Sequence, residues 1–152
     1  MAERYVLDTS AIFAFTDQEE GASQVERILD LAGKDQCRVE ICSASLMELY
    51  YTTLQEVGED QAARLLGMVK SWPIHWVFPD EQTLLLAGRF KARHRLSFAD
   101  AQIAATAKRN DATLVHKDPE FAALAAEVRV IELPLKGARP ADAQEDESRE
   151  VS

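Results

Sequence analysis

Short apolar runs alternate along the chain with longer stretches in which apolar residues fall three and four positions apart, and the two periods predict strands and helices in turn. Tyr5-Val6-Leu7 reads as a first strand, Val39 to Cys42 as a second, Ile74 to Phe78 as a third, Thr113 to Val115 as a fourth and Val128 to Leu133 as a fifth. Between them, Val25, Ile28, Leu29 and Leu31 mark a helix over Ala22 to Leu31, and Leu46, Leu49, Tyr50 and Leu54 mark another over Ser45 to Leu54. Gly58 is placed to end that second helix, since glycine takes a left-handed C-terminal cap without steric cost. Glu59 to Val69 restarts with Ala62, Leu65, Leu66 and Val69 on one side. Pro79-Asp80-Glu81 opens the next helix with acids where the macrodipole favours them. Ser97 caps a last helix through Ile103 to about Arg109. This alternation predicts an α/β fold, a three-layer α/β/α sandwich around a mainly parallel sheet of about five strands. Such sheets place their sites beyond the carboxyl ends of the strands.

The apolar period is lost after Leu135, so residues 1–135 are expected to form one domain and residues 136–152 an acidic, disordered tail. With 47% hydrophobic residues in 152, one core can form without staples. Cys37 and Cys42 form no C-x-x-C pair and have no histidine at a metal-ligand spacing, so both are expected to be reduced core thiols. No secretory signal and no membrane-length apolar stretch is present, from which a soluble cytoplasmic protein is expected. A net charge of -9 argues against a nucleic-acid partner, which normally meets a basic footprint. The distribution of charge changes that picture. From Gly137 onward the chain holds Asp142, Glu145, Asp146, Glu147 and Glu150 against Arg139 and Arg149, a contribution of -3.

Four acids stand where chemistry and capping are both served. Asp8 directly follows the first strand, and Asp118 follows the fourth in His116-Lys117-Asp118-Pro119. Glu48 and Asp100 come three residues after Ser45 and Ser97, which is the spacing of a capping box. Each acid alone fits a helix cap or a turn. Together they would meet at the carboxyl edge of a doubly wound sheet, where they could not all stay ionised without cations. Oxygen ligands of this kind suit Mg2+ or Mn2+, ions that bridge to substrate phosphates.

The Leu7-Asp8-Thr9-Ser10-Ala11 start, the isolated helical Glu48, the Ser97-Phe98-Ala99-Asp100-Ala101 segment and the run from Leu114 to Phe121 resemble the PIN-domain ribonucleases, and among them the VapC-type toxins of toxin–antitoxin pairs. The resemblance runs from about Tyr5 to Leu133. It implies a metal-activated water attacking a phosphodiester of single-stranded RNA. Asp8 and Asp100 would be the principal metal ligands, Glu48 and Asp118 would complete the acidic ring, and Ser10 would steady the first turn. His116 departs from the pattern, since many members carry Thr or Ser there. A homodimer and a cognate antitoxin are implied as partners. The apolar and aromatic content of Leu46 to Leu54 and of Leu65 to Trp72, more than one buried helix face explains, points the same way.

In the basic run ahead of Ser97, Arg89, Arg93 and Arg95 are candidates for contact with the RNA backbone, although such a run is commonly a solvated helix face. His75 is expected to be a partly buried strand residue. A haloacid-dehalogenase phosphatase would need a second Asp at the position of Ser10, and a response-regulator receiver would need paired acids at the first strand end. The remaining alternative is a PIN-fold module that binds RNA or protein without cutting it.

Overall fold

The computed structural model of the chain describes residues 2–135. The expected tail over residues 136–152 therefore lies outside the described residues. Five strands run in one direction in the order β3-β2-β1-β4-β5. They are β1 (Glu3–Leu7), β2 (Cys37–Cys42), β3 (His75–Val77), β4 (Thr113–His116) and β5 (Val130–Glu132). The helices are α1 (Thr9–Thr16), α2 (Ala22–Gly33), α3 (Ser43–Val57), α4 (Glu59–Lys70), α5 (Glu81–Arg93) and α6 (Phe98–Arg109), with a 3-10 helix at Pro119–Leu124. Register pairs Val6 with Glu40 on one side of β1 and with Leu114 on the other. The chain order reverses at β1, which puts the crevice of the sheet at the ends of β1 and β4.

Alternation along the strands divides the interior into two cores, because successive side chains point to opposite faces. Val6 and Leu114 face Ala87, Phe90, Ile103, Ala104 and Phe121, whereas Leu7 and Val115 face Ile12, Val25, Ile28, Leu49 and Val69. Three layers result. Helix α6 is buried from Ala99 to Ala107 except at Gln102, and five of its eight buried residues are alanines, which brings its backbone close to the sheet. That burial fixes where its first turn, with Asp100, meets the strand ends.

The structure departs from the sequence reading mostly at ends. The third strand is His75–Val77 rather than Ile74 to Phe78, the fourth continues to His116, and the fifth is Val130–Glu132 rather than Val128 to Leu133. His75 is exposed on the edge strand β3, not partly buried. The segment after Asp8 is a full helix from Thr9. The expected capping box of Ser45 and Glu48 is absent: α3 starts at Ser43, Cys42 stands at its cap position without a side-chain bond, and Ser45 lies inside the first turn. The tight connection from β2 to α3 leaves no room for a separate capping residue, so Glu48 falls in the second turn. Ser97 does cap α6, accepting from the Asp100 N–H at 3.0 Å, and Gly58 ends α3 with a φ of 98°. Both cysteines are free, Cys42 buried and Cys37 half-buried. Among the described residues, no helix is long and apolar enough to cross a membrane.

Candidate metal centre

Asp8 is the residue at which β1 becomes α1. Its extended backbone lets the carboxylate turn back as the N-cap: Oδ2 accepts from the Ser10 N–H at 3.0 Å and from the Ser10 hydroxyl. Its own N–H donates to the Val115 carbonyl at 2.9 Å, which locks the turn to β4. The cap explanation thus accounts for Oδ2. It does not account for Oδ1, which is buried with no hydrogen-bond partner, on a side chain only 2% exposed. A lone buried carboxylate oxygen is costly to leave unsatisfied.

Three further acids surround this oxygen electrostatically. Glu48, reached from the second turn of α3, accepts from the Thr9 hydroxyl at 2.6 Å, and that hydroxyl lies 2.9 Å from Ser45 Oγ. Thr9 therefore fixes Glu48 beside the residue that follows Asp8. Asp100 sits in the first turn of α6, 6% exposed. Asp118 caps the 3-10 helix, its Oδ1 accepting from the Glu120 N–H at 3.0 Å. Burial pushes the Asp8 carboxyl up to about 7, Ser10 opposes the shift, and the charges of Glu48 and Asp118 add to it. Burial pushes Asp100 up to about 8, with further upward pressure from Asp8, Asp118 and Glu48. Like charges withdrawn from water raise one another in this way, and a cation among them reverses the effect.

Glu120, which the sequence left unassigned, joins the acids at this edge. One carboxylate oxygen each from Asp100, Asp118 and Glu120 lies within 4.8 Å of the other two, and the charges of Asp8 and Glu48 act on Asp100. Glu120 went unassigned in the sequence because an acid directly after Asp-Pro reads as a first-turn helix acid. Its only sequence signal was its place beside Asp118. Ser10 does more than steady one turn: its Oγ also accepts the Lys117 N–H at 2.8 Å, tying the ends of β1 and β4 together. The Lys117 ammonium, 7% exposed, lies 3.4 Å from Glu19 and 3.7 Å from Glu20, so its charge is spent on the α1–α2 connection rather than on the acids. Arg89, Arg93 and Arg95 are exposed. Their neighbours in the basic run are engaged: Lys91 donates to the Leu96 carbonyl and His94 lies 3.0 Å from Glu127.

A PIN-domain family model matches residues 5–127. The chain belongs to the PIN-domain family. Its PIN domain is similar to a chain of VapBC2 from Rickettsia felis, a complex bound to a DNA fragment from its promoter. The identity is 19%, the match covers 86% of this chain and 99% of that one, and the TM-score is 0.71. It is also similar to a chain of VapBC-5 from Mycobacterium tuberculosis, of the VapBC family of toxin–antitoxin systems, at 25% identity, 85% and 98% coverage and a TM-score of 0.58. A third is VapC20 of Mycobacterium tuberculosis, a toxin that cleaves the sarcin–ricin loop, at 19% identity, 82% and 98% coverage and a TM-score of 0.63. Among curated proteins, no sequence matches the chain. The four acids of the resemblance all fall at the carboxyl edge of this PIN domain's sheet or in the helices starting there. Hard oxygen donors alone, one of them buried and without a partner, fit a divalent cation such as Mg2+ or Mn2+.

Proposed function

We propose that this PIN domain is a divalent-cation-dependent endoribonuclease that cleaves phosphodiester bonds of single-stranded RNA, acting in the cytoplasm as the toxin of a toxin–antitoxin pair. The observation that carries the proposal is the orphaned Oδ1 of Asp8 inside a ring of carboxylates. A residue kept only to cap α1 has no reason to bury a second oxygen without a partner, whereas a cation ligand does. When bound, Mg2+ or Mn2+ lowers the pKa of the attacking water and offsets charge developing on the phosphate.

The protein's own part is to hold ligands and orient substrate. Asp8, Asp100 and Asp118 would hold the cation, with Glu120 at the outer, solvent side. Thr9 keeps Glu48 beside Asp8, adding negative charge that favours a cation over a proton. Ser10 prevents the Asp8 carboxylate from rotating out of the cluster. Arg89, Arg93 and Arg95, all exposed, would supply the positive surface that the acids lack and contact RNA phosphates.

A cognate antitoxin belongs to the same proposal. Supporting it is an open groove of about 330 Å³ between α1, α3 and α4, whose apolar lining comes from Phe13, Val57, Leu65 and Met68. Together with exposed Met47, Tyr51 and Leu54, it leaves much of the α3–α4 hairpin's apolar surface uncovered. A homodimer would cover a second patch, Leu84, Leu85 and Phe98 on α5 and α6. Calorimetric titration with Mn2+ tests the core of the proposal. Wild type is expected to bind, and the Asp8→Asn, Asp100→Asn double variant is expected to lose most of the affinity; equal affinity would mean that the acids are caps.

A further inference from the structure

His116 is the last residue of β4 and the one position at which the run from Leu114 to Phe121 departs from the resemblance. Its ring is 1% exposed and packs against Phe121, with centroids 4.9 Å apart and planes at 57°. The ring cannot swing without opening that core. Its Nδ1 accepts the backbone N–H of Asp118 at 3.1 Å. An imidazole nitrogen that accepts carries no proton, so the ring is the neutral tautomer with its hydrogen on Nε2.

The contact falls where the chain must stop being a strand and turn. The His116 carbonyl still accepts from the Leu133 N–H at 2.7 Å, and one residue later the Lys117 N–H reaches Ser10 Oγ. Asp118 is then extended and caps the 3-10 helix that carries Glu120. Its N–H has left the β4–β5 ladder and would otherwise go unpaired in a half-buried turn. A side chain two residues back can satisfy it in the manner of an Asx or Ser/Thr turn. Here a ring nitrogen does that work, and the packing on Phe121 fixes its direction. The segment bearing Asp118 and Glu120 is thereby aimed at Asp100.

We propose that His116 is a positioning residue for the cation site: its Nδ1 holds the Asp118 turn, and so sets the distance of Asp118 and Glu120 from Asp100. The proposal rests on the cation-binding function given above. His116 touches Asp118 only through the backbone, so it acts on the site through geometry and contributes no ligand. Two properties of the ring can be separated by substitution. His116→Phe keeps the aromatic packing on Phe121 and removes the acceptor. His116→Asn keeps an acceptor, since Oδ1 of Asn stands where Nδ1 of His does, and gives up the ring.

The test is Mn2+ titration of the full chain and of both variants, alongside melting curves and cleavage rates separated into kcat and KM. His116→Phe should bind Mn2+ roughly 10–100-fold more weakly, in the range seen when an outer-shell partner is lost. Its kcat should fall with it, while its melting temperature stays within a few degrees of wild type. His116→Asn should melt earlier yet recover most of the Mn2+ affinity. Affinity would then follow the acceptor and stability the ring. Wild-type affinity in His116→Phe, or no recovery in His116→Asn, would overturn the proposal. Nitrogen NMR of the imidazole in the metal-free protein gives an independent check: a proton on Nδ1 would overturn it whatever the metal does, and keeps it testable should the Asn variant not fold. If wild type showed the Nε2–H tautomer but bound no Mn2+, the cation-binding function would be what failed, and the positioning role would fall with it.

Discussion

Asp8 and Asp100 are each held in a state that a folded protein avoids unless something compensates. Their carboxyls titrate near 7 and 8 in the folded chain and near the usual carboxylate value when unfolded. The folded state therefore holds protons that the unfolded state has released across the window from about 4 to about 8. Stability is fully present below that window and falls as pH rises through it. The metal-free wild type should lose melting temperature between pH 5 and pH 8 relative to the Asp8→Asn, Asp100→Asn double variant, and Mn2+ should restore it. Parallel pH profiles for the two proteins would show that the acids are not strained. Glu40 makes the contrasting case. It is equally buried, but Arg4, Arg38 and Asn110 satisfy it at 3.2, 2.9 and 2.9 Å. Glu40→Ala should cost about 2 kcal/mol in chemical denaturation, since it removes charge-assisted hydrogen bonds to a buried carboxylate. A loss below about 1 kcal/mol would place Glu40 among surface ion pairs. Sequence alone could not separate these two kinds of buried acid, because the difference lies in which neighbours face them across β2, α3 and α6.

Helix α6 shows how an element carries a site. Ser97 caps it, and Asp100 is both the residue whose N–H the cap receives and the acid at the cluster. Ser97→Ala should cost about 1 kcal/mol, and Ser97→Asp should recover most of it. No loss on Ser97→Ala would mean that burial of the alanines alone sets the first turn. Gly21 fixes the other side: its φ is 94°, and an added Cβ would stand 2.9 Å from Leu133 Cβ. Gly21→Ala should destabilise by about 2 kcal/mol or more, because strain at positive φ adds to overpacking. The alternation of β and α elements was legible in the sequence, as were Gly58 and the Ser97 cap. The start of α3 was not. Ser45-x-x-Glu48 has the letters of a capping box, but β2 runs so directly into the helix that Ser43 is already helical, which turns Glu48 away from the cap and toward Thr9. Helix α1 was hidden for a related reason: its residues are apolar on nearly every face, so no period marks it.

The whole molecule is acidic, yet under the proposed function its site would receive a polyanion. Of the net charge of -9, the acids that would hold cations are a large part, and Arg89, Arg93 and Arg95 form a separate exposed basic stretch at the end of α5. Replacing all three with Gln should weaken RNA binding and flatten its salt dependence by roughly 0.7 in the log–log slope per arginine. An unchanged slope would exclude them from the RNA path. Asp8, Asp100 and Asp118 stand at strand ends or a helix start, positions that local periodicity reveals, whereas Glu48 was marked by its spacing from Ser45 and Ser10 only by the family resemblance. Glu120, the orphaned Asp8 oxygen and the His116 contact could not be picked out from the sequence, because each depends on how β4 and α6 are set against one another across the sheet. The most direct test of the account pairs RNA cleavage in Mg2+ or Mn2+ with melting curves for Asp8→Asn and Asp100→Asn. Asn can still cap but is a poor ligand for a hard cation, so the account predicts wild-type or higher stability without metal, together with loss of cleavage. Full cleavage activity in both variants would contradict it.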